Sequence, residues 1–552
     1  MNNRIALGSS IRRLVSIGAV GAFAIVGLGT PGVAAADTTP PAGTPATVSA
    51  DALPTWQING VVWSQVVVRN TVYATGSFTR ARPPGVAVGG PGEVDAVNIF
   101  AYDITTGNRV GTFNHSLNAQ GRSLAAAPDG SRIYVGGDFT AVDGIARGHV
   151  AAFSTATGAL DGTISPSVSS TVRAVAATAT TLFIGGGYGS VNGTSRQSLS
   201  AVSISTGALL PWAPKVANGS VWSMVVSPDQ SRVIAGGSFT TLNALSAYGM
   251  GSVSATTGAN LPWAANQTIR DATSTGAITS LRTDGRQIFG SGYAYGAGSS
   301  FEGTFAADPS TGKISVVNDC HGDTYDVLPL GAVLYSVGHA HDCTAIGSFP
   351  DTSPRVRWQR ALAQTIAATT TNIGPDNYGW NYAGLPASTV LHWFPMLSAG
   401  SYTGATQAAW SLAGNSTYVV MGGEFPAVNG TAQQGLVRMA ISASAPNKRG
   451  PTYSTAPARP TPPTTATCIV PGTITVSYGT AWDYDNQTLT YELRRDGAVI
   501  YSTQIKTNFW TVPSQSYTDM GLTPGSSHYY QVRIKDPFGN TAYSPISNTV
   551  TC

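Results

Sequence analysis

The chain has 552 residues, more than one ordinary domain holds. Hydrophobic residues make up 42% and charged residues only 10%, against an average near 25% charged, so it can build cores and is not a disordered chain held open by charge. Three of the 30 Lys and Arg residues (Arg4, Arg12, Arg13) lie in the first 36 positions, where there is no acid. The remaining 27 basic residues balance 27 acidic ones. That neutrality argues against a nucleic-acid ligand and against electrostatic membrane binding.

Residues 1–36 read as a secretory signal. Arg4, Arg12 and Arg13 form a basic start, Leu14 to Leu28 an apolar run, and Val33 to Ala36 a small-residue cleavage region. The apolar run is short for a spanning helix, so export is expected rather than anchoring. The expected location is outside a bacterial cell, and no span is expected in the mature chain. Residues 37–52 read as a disordered lead-in.

A phrase then recurs seven times between residues 53 and 445. It reads Val72-Tyr-Ala-Thr-Gly-Ser-Phe78, Ile133-Tyr-Val-Gly-Gly-Asp-Phe139, Leu182-Phe-Ile-Gly-Gly-Gly-Tyr188 and Val233-Ile-Ala-Gly-Gly-Ser-Phe239. It continues as Ile288-Phe-Gly-Ser-Gly-Tyr293, a weaker Leu334-Tyr-Ser-Val-Gly-His339, and Tyr418-Val-Val-Met-Gly-Gly-Glu-Phe425. A second phrase ending in Thr-Gly follows most copies, as in Asp103 to Gly107 and Ser203 to Gly207. The end positions 78, 139, 188, 239, 293, 339 and 425 are separated by 61, 49, 51, 54, 46 and 86 residues. A period near 50 with short alternating strands and Gly-rich turns predicts an all-β, seven-bladed β-propeller over residues 53–445. Leu210-Pro-Trp212 precedes one blade, and Leu53-Pro-Thr-Trp56 precedes the first. The latter segment should therefore supply the missing outer strand of the last blade and close the ring.

Six prolines between Pro446 and Pro463 mark residues 446–467 as an extended linker. Residues 468–552 carry Trp482 with Asp485, the hairpin Tyr491 to Gly497, Leu522-Thr-Pro-Gly525, and an alternating Tyr530, Val532, Ile534. On these residues the segment resembles a fibronectin type III module, which implies a β-sandwich and a spacer role. The family's corner tyrosine would fall at His528. The repeats resemble secreted bacterial propellers of the delta-sixty or WD-like type. That resemblance implies the fold and leaves the activity open.

The four cysteines of an exported chain predict disulfides, most simply Cys320–Cys343 and Cys468–Cys552. Around the first pair cluster His321, Asp323, His339 and His341, with His392 further on. Imidazoles plus a carboxylate suit zinc or copper. The alternative is a disulfide-pinned hairpin with structural histidines and no cofactor. The long interval before residue 425 contains Asp376, Asn377, Tyr378, Trp380, Tyr382 and Trp393. Flat rings flanked by amides suit sugars, which makes these the candidate ligand residues; the alternative is a plug that packs its own aromatics. Thr-Gly followed by Leu-Pro-Trp also resembles quinone-dependent dehydrogenase repeats, but the adjacent cysteines of the best-known group are absent, and Trp212 and Trp263 read better as packing between blades. No nucleophile elbow or zinc-protease helix motif occurs. The expected function is an exported, monomeric binding or scaffold protein for extracellular glycan, cell-wall material or protein. The alternatives are a secreted carbohydrate-active enzyme (a glycoside hydrolase or lyase) and a metal-dependent propeller enzyme.

Overall fold

The computed structural model describes residues 40, 43–272, 274–295, 299–375, 381–453 and 462–552. The expected signal, residues 1–36, lies outside them. Among the described residues the only helical turns are Ala265–Thr268 and Thr344–Ile346, and the rest of the regular structure is β. No helix there is long and apolar enough to cross a membrane.

Each recurring phrase forms the middle strand of an antiparallel sheet. In the first sheet Thr71–Ser77 lies between Val61–Val68 and Ile99–Asp103. In the second, Arg132–Gly137 lies between Gly121–Ala126 and Val150–Ser154; in the third, Thr181–Gly186 lies between Val172–Ala177 and Leu199–Ser203. The fourth opens with Val221–Val226, the fifth with Gly276–Thr283, the sixth with Thr324–Leu330 and the seventh with Ala409–Gly414. The opening strand of each sheet lies beside that of the next, and the seventh lies beside the first. This is a β-propeller repeat architecture.

The Gly pairs let these opening strands crowd together. A Cβ on Gly136 would stand 2.5 Å from Val172 Cγ1 of the next sheet, and one on Gly422 would stand 2.7 Å from Val62 Cγ1. The aromatic residues that end the phrases, Phe78, Phe139, Tyr188, Phe239 and Phe425, are buried.

The outer edge of the seventh sheet, Leu436–Ala440, is met from the N-terminal side. Leu53 N–H donates to Arg438 O (2.9 Å), as the repeat comparison expects, and Ser49 N–H donates to Ala440 O (2.8 Å). The expected disorder of residues 37–52 is therefore corrected over its described part, residues 43–52. Thr47, Val48, Ser49, Ala50 and Asp51 are buried, with Val48 N–H on Tyr335 Oη and Ala50 N–H on Asp485 Oδ2. The segment is short and polar in composition. Its order comes from a vacant sheet edge on one side and a carboxylate on the other.

The C-terminal residues form a three-stranded sheet that begins with Thr465–Val470, a four-stranded sheet around Thr488–Arg495, and a small pair. Ile474, Val476, Leu489, Tyr491, Leu493, Tyr530, Val532 and Ile534 fill the core between them. Asp496 and Gly497, both at positive φ, turn the predicted hairpin. His528, at the expected corner position, instead bonds Asp496 Oδ2 and Ser526 Oγ.

The linker reading also needs correction at both ends. Thr452 and Trp482 exchange backbone hydrogen bonds, Asn540 Nδ2 donates to Asn447 O, and the first C-terminal strand starts at Thr465 rather than after 467. Residues 454–461 lie outside the described residues. The C-terminal module also packs against the repeat sheets. Trp482, Tyr484 and Phe509 join Phe349, Trp393 and Phe394 in one core, with Phe394 and Phe509 rings 4.9 Å apart. Both cysteine pairs are bonded as expected, Cys320–Cys343 and Cys468–Cys552.

Candidate functional site

Every opening strand contains one register shift at the same place. The strand pairing skips a residue between Val62 and Ser64, Gly121 and Ser123, Val172 and Ala174, and Val221 and Ser223. It does so again between Ile278 and Ser280, Thr324 and Asp326, and Ala409 and Ser411. A β-bulge re-aims the extra side chain and is frequent beside binding sites. The seven extra residues are Trp63, Arg122, Arg173, Trp222, Thr279, Tyr325 and Trp410. All seven line a single cavity of about 470 Å³, together with Tyr293, Asp323, Ala405 and Gln407. That volume suits a small organic ligand.

The aromatic groups are held in fixed poses. Trp63 Nε1 donates to Gln120 Oε1, and Trp410 Nε1 donates to Glu424 Oε1. The Trp410 ring stands 5.0 Å from Trp63 and 4.1 Å from Tyr325. Across the ring of bulges, Trp222 stacks on Tyr293 at 5.8 Å and Tyr293 on Tyr295 at 6.1 Å, and Tyr295 is 62% exposed.

Two guanidiniums share this wall. Arg122 lies over Trp63 (5.3 Å) and pairs with Asp138 at 3.1 Å. Arg173 lies over Trp222 at 5.5 Å. Burial holds the Arg173 guanidinium below its ordinary pKa, and the neighbouring charge of Arg122 adds to the effect.

The acidic wall is different. Asp323 accepts from Tyr325 Oη at 3.0 Å and shares a hydrogen bond with Glu302. Burial, reinforced by the charge of Glu302, pushes Asp323 up to about 7. Burial opposes ionisation of Glu302 too, but bonds from His321 and the Gly322 N–H keep it below the usual range. Of the two carboxyls, Asp323 is thus the one that keeps its proton towards neutral pH, and Glu302 the one that ionises first. His339 Nδ1 contacts Gln407 Oε1 at 3.1 Å and Tyr325 Oη at 3.4 Å, and burial lowers its pKa.

The residues expected to hold metal divide. His321 and His341 are brought together through backbone bonds beside the Cys320–Cys343 bridge. The His339 and His341 rings lie 6.5 Å apart, but His341 Nδ1 faces Asp351 at 3.3 Å, whereas Asp323 lines the cavity and His339 backs its Tyr325 and Gln407. His392 belongs elsewhere. Its Nε2 bonds Asp483 O at the junction with the C-terminal module, which corrects its inclusion with the others. Among the described residues no group of three or more His, Cys, Asp or Glu side chains is arranged to hold a metal ion.

The expected ligand residues fare differently again. Asp376, Asn377, Tyr378 and Trp380 lie outside the described residues. Trp393 is 0% exposed and packs edge-on against Tyr335, and Tyr382 is 6% exposed with its hydroxyl donating to Ser300 O. Both are corrected from ligand platforms to packing residues. At these two positions of the interval the rings close the core.

No protein-family profile matches this sequence, and no curated protein matches it. Among solved structures the chain is similar to the WD40 repeats of RRP9, at 8% identity over 71% of this chain and 99% of that chain, with a TM-score of 0.39. It is also similar to a chain of the Mitotic Checkpoint Complex, at 10% identity over 76% and 99%, with a TM-score of 0.38. Likeness at this level says nothing about a ligand.

The bulge ring escaped the sequence comparison, although a signal was present. Val61-Val-Trp63-Ser64 and Val221-Trp222-Ser223 stand at equivalent blade starts. Extending the comparison gives Arg122-Ser123, Thr279-Ser280, Tyr325-Asp326 and Trp410-Ser411: a variable, large or polar residue before a small or acidic one. That column is the ring.

Proposed function

We propose that this chain is an exported saccharide-binding protein, built as a seven-bladed propeller with a fibronectin type III-like module docked on its side. One observation carries the reading: seven in-register bulges turn seven side chains, four of them aromatic, into one cavity. Tryptophan faces pack against the C–H faces of sugar rings, and the surrounding polar groups select among hydroxyls. Export is supported by the signal-like first 36 residues and by two disulfides, which persist in oxidising compartments. A glycosidase reading finds an acid in Asp323. Its nearest carboxylate, Glu302, is hydrogen-bonded to it, which is closer than the roughly 5 Å that a retaining pair requires. Binding is therefore the better-supported activity.

The test is a panel of oligosaccharides titrated into the purified chain, with Trp222→Ala and Trp410→Ala as comparisons. Saturable binding that both variants weaken by about tenfold or more supports the reading. Binding that ignores both substitutions, or release of shortened sugars, overturns it.

A further inference from the structure

The cavity wall carries an unbalanced charge. Arg122 and Arg173 occupy consecutive bulges, on the second and third sheets. Arg122 has its counter-ion in Asp138, and that carboxylate also accepts from Gln120 Nε2 at 2.7 Å and from Thr171. Among the described residues Arg173 has no ion pair and no hydrogen bond to its guanidinium; the Trp222 face is its contact. A partly buried guanidinium with its fork of N–H donors unused is costly, and an oxyanion arriving in the cavity would relieve that cost. Among the described residues the one carboxyl lining the same cavity, Asp323, already has Tyr325 and Glu302 as partners. The stack Arg173, Trp222, Tyr293, Tyr295 leads from this guanidinium to an exposed ring. A charged group seated on Arg173 would thus have an aromatic path for the sugar units attached to it.

We infer that the saccharide taken by this cavity is acidic, with a carboxylate or sulfate oxyanion seated on the guanidinium of Arg173. This rests on the saccharide reading above. Carboxylate and sulfate present the same chemistry to the fork, two oxygens in a plane or nearly so, and the test separates them.

The experiment is calorimetric titration of the full chain with four probes: a tetragalacturonate, a carrageenan tetrasaccharide whose only anion is sulfate, a neutral galactan tetrasaccharide, and hexaglutamate. One or both acidic saccharides should bind at least about tenfold tighter than the neutral one and weaken as salt is raised. Arg173→Gln should remove that advantage, so that acidic and neutral saccharides bind the variant within about twofold of each other. Arg173→Lys should recover only part of it, because an ammonium lacks the fork. Binding of one acidic probe alone identifies carboxylate or sulfate as the anion. Equal binding of neutral and acidic saccharides, or an acidic titration indifferent to Arg173→Gln, overturns the acidic ligand while the saccharide cavity stands. Hexaglutamate bound in place of the saccharides makes the ligand a peptide and overturns both readings. Failure of all four probes also overturns both.

Discussion

The bulge ring and the interval before the seventh sheet are both rich in aromatic residues, yet the structure uses them in opposite ways. In the ring, Trp63, Trp222 and Trp410 are half-buried, with one face in a cavity and one edge pinned by a hydrogen bond or a stacking partner. In the interval, Trp393, Phe394 and Tyr382 are buried, and the first two share a core with Trp482 and Phe509 of the C-terminal module. At the described positions of the interval, aromatic density in sequence therefore does not mark a site. What marks it is a side chain displaced from the alternation of its strand, at the same step in every repeat.

The comparison can be broken most forcefully at the N-terminal strap. Deleting residues 37–52 removes the backbone bonds of Ser49 to Ala440 and of Ala50 to Asp485, and uncovers the edge of the seventh sheet. The expected result is aggregation or loss of a cooperative melt, read by calorimetry. A soluble, cooperatively melting product would show that the strap is a passenger.

Next in size is Trp393→Ala. Loss of a fully buried large aromatic costs about 3–5 kcal/mol, measured by denaturant unfolding. Trp410→Ala should cost well under half of that, since its ring borders a cavity, and should cut saccharide binding instead. If the two variants show the reverse pattern, ring and interval have exchanged roles.

A smaller effect sharpens the acidic wall. The folded-state pKa of Asp323 lies above its unfolded value, so its contribution to stability is complete below about 4 and is lost as pH rises through about 7. The same ionisation places a negative charge in the cavity beside Glu302, Tyr325 and His339 and facing Arg122 and Arg173. Affinity for an acidic saccharide should fall between pH 6 and 8, and Asp323→Asn should flatten both the affinity profile and this part of the stability profile. Unaltered profiles in the variant would assign the pH response to His339 or another neighbour. His392 at the module junction works in the opposite sense: burial lowers it to about 4, so its contribution is present above about 6.5 and lost on acidification.

Much of the architecture was legible in the chain. The recurring phrase marked each middle strand, the Gly pairs marked the crowded centre, and Leu53 marked the closing edge, because each depends on local spacing and on the room available to a Cβ. The disulfide partners followed from parity and proximity. The order of residues 46–52 was not legible, since it is imposed by a sheet edge nearly 390 residues later and by Asp485.

The sequence by itself determined the repeat, the strand content, the turn positions and the neutral surface, all of which follow from side-chain periodicity and glycine placement. Only the tertiary structure decided which aromatic residues face a cavity. Trp393 and Trp410 lie 17 positions apart in similarly apolar surroundings. A one-residue slip in strand pairing turns one of them toward the axis, while packing edge-on against Tyr335 of the sixth sheet buries the other. Neither event has a local cause, because each is set by the strand or sheet that the residue meets after the ring has closed.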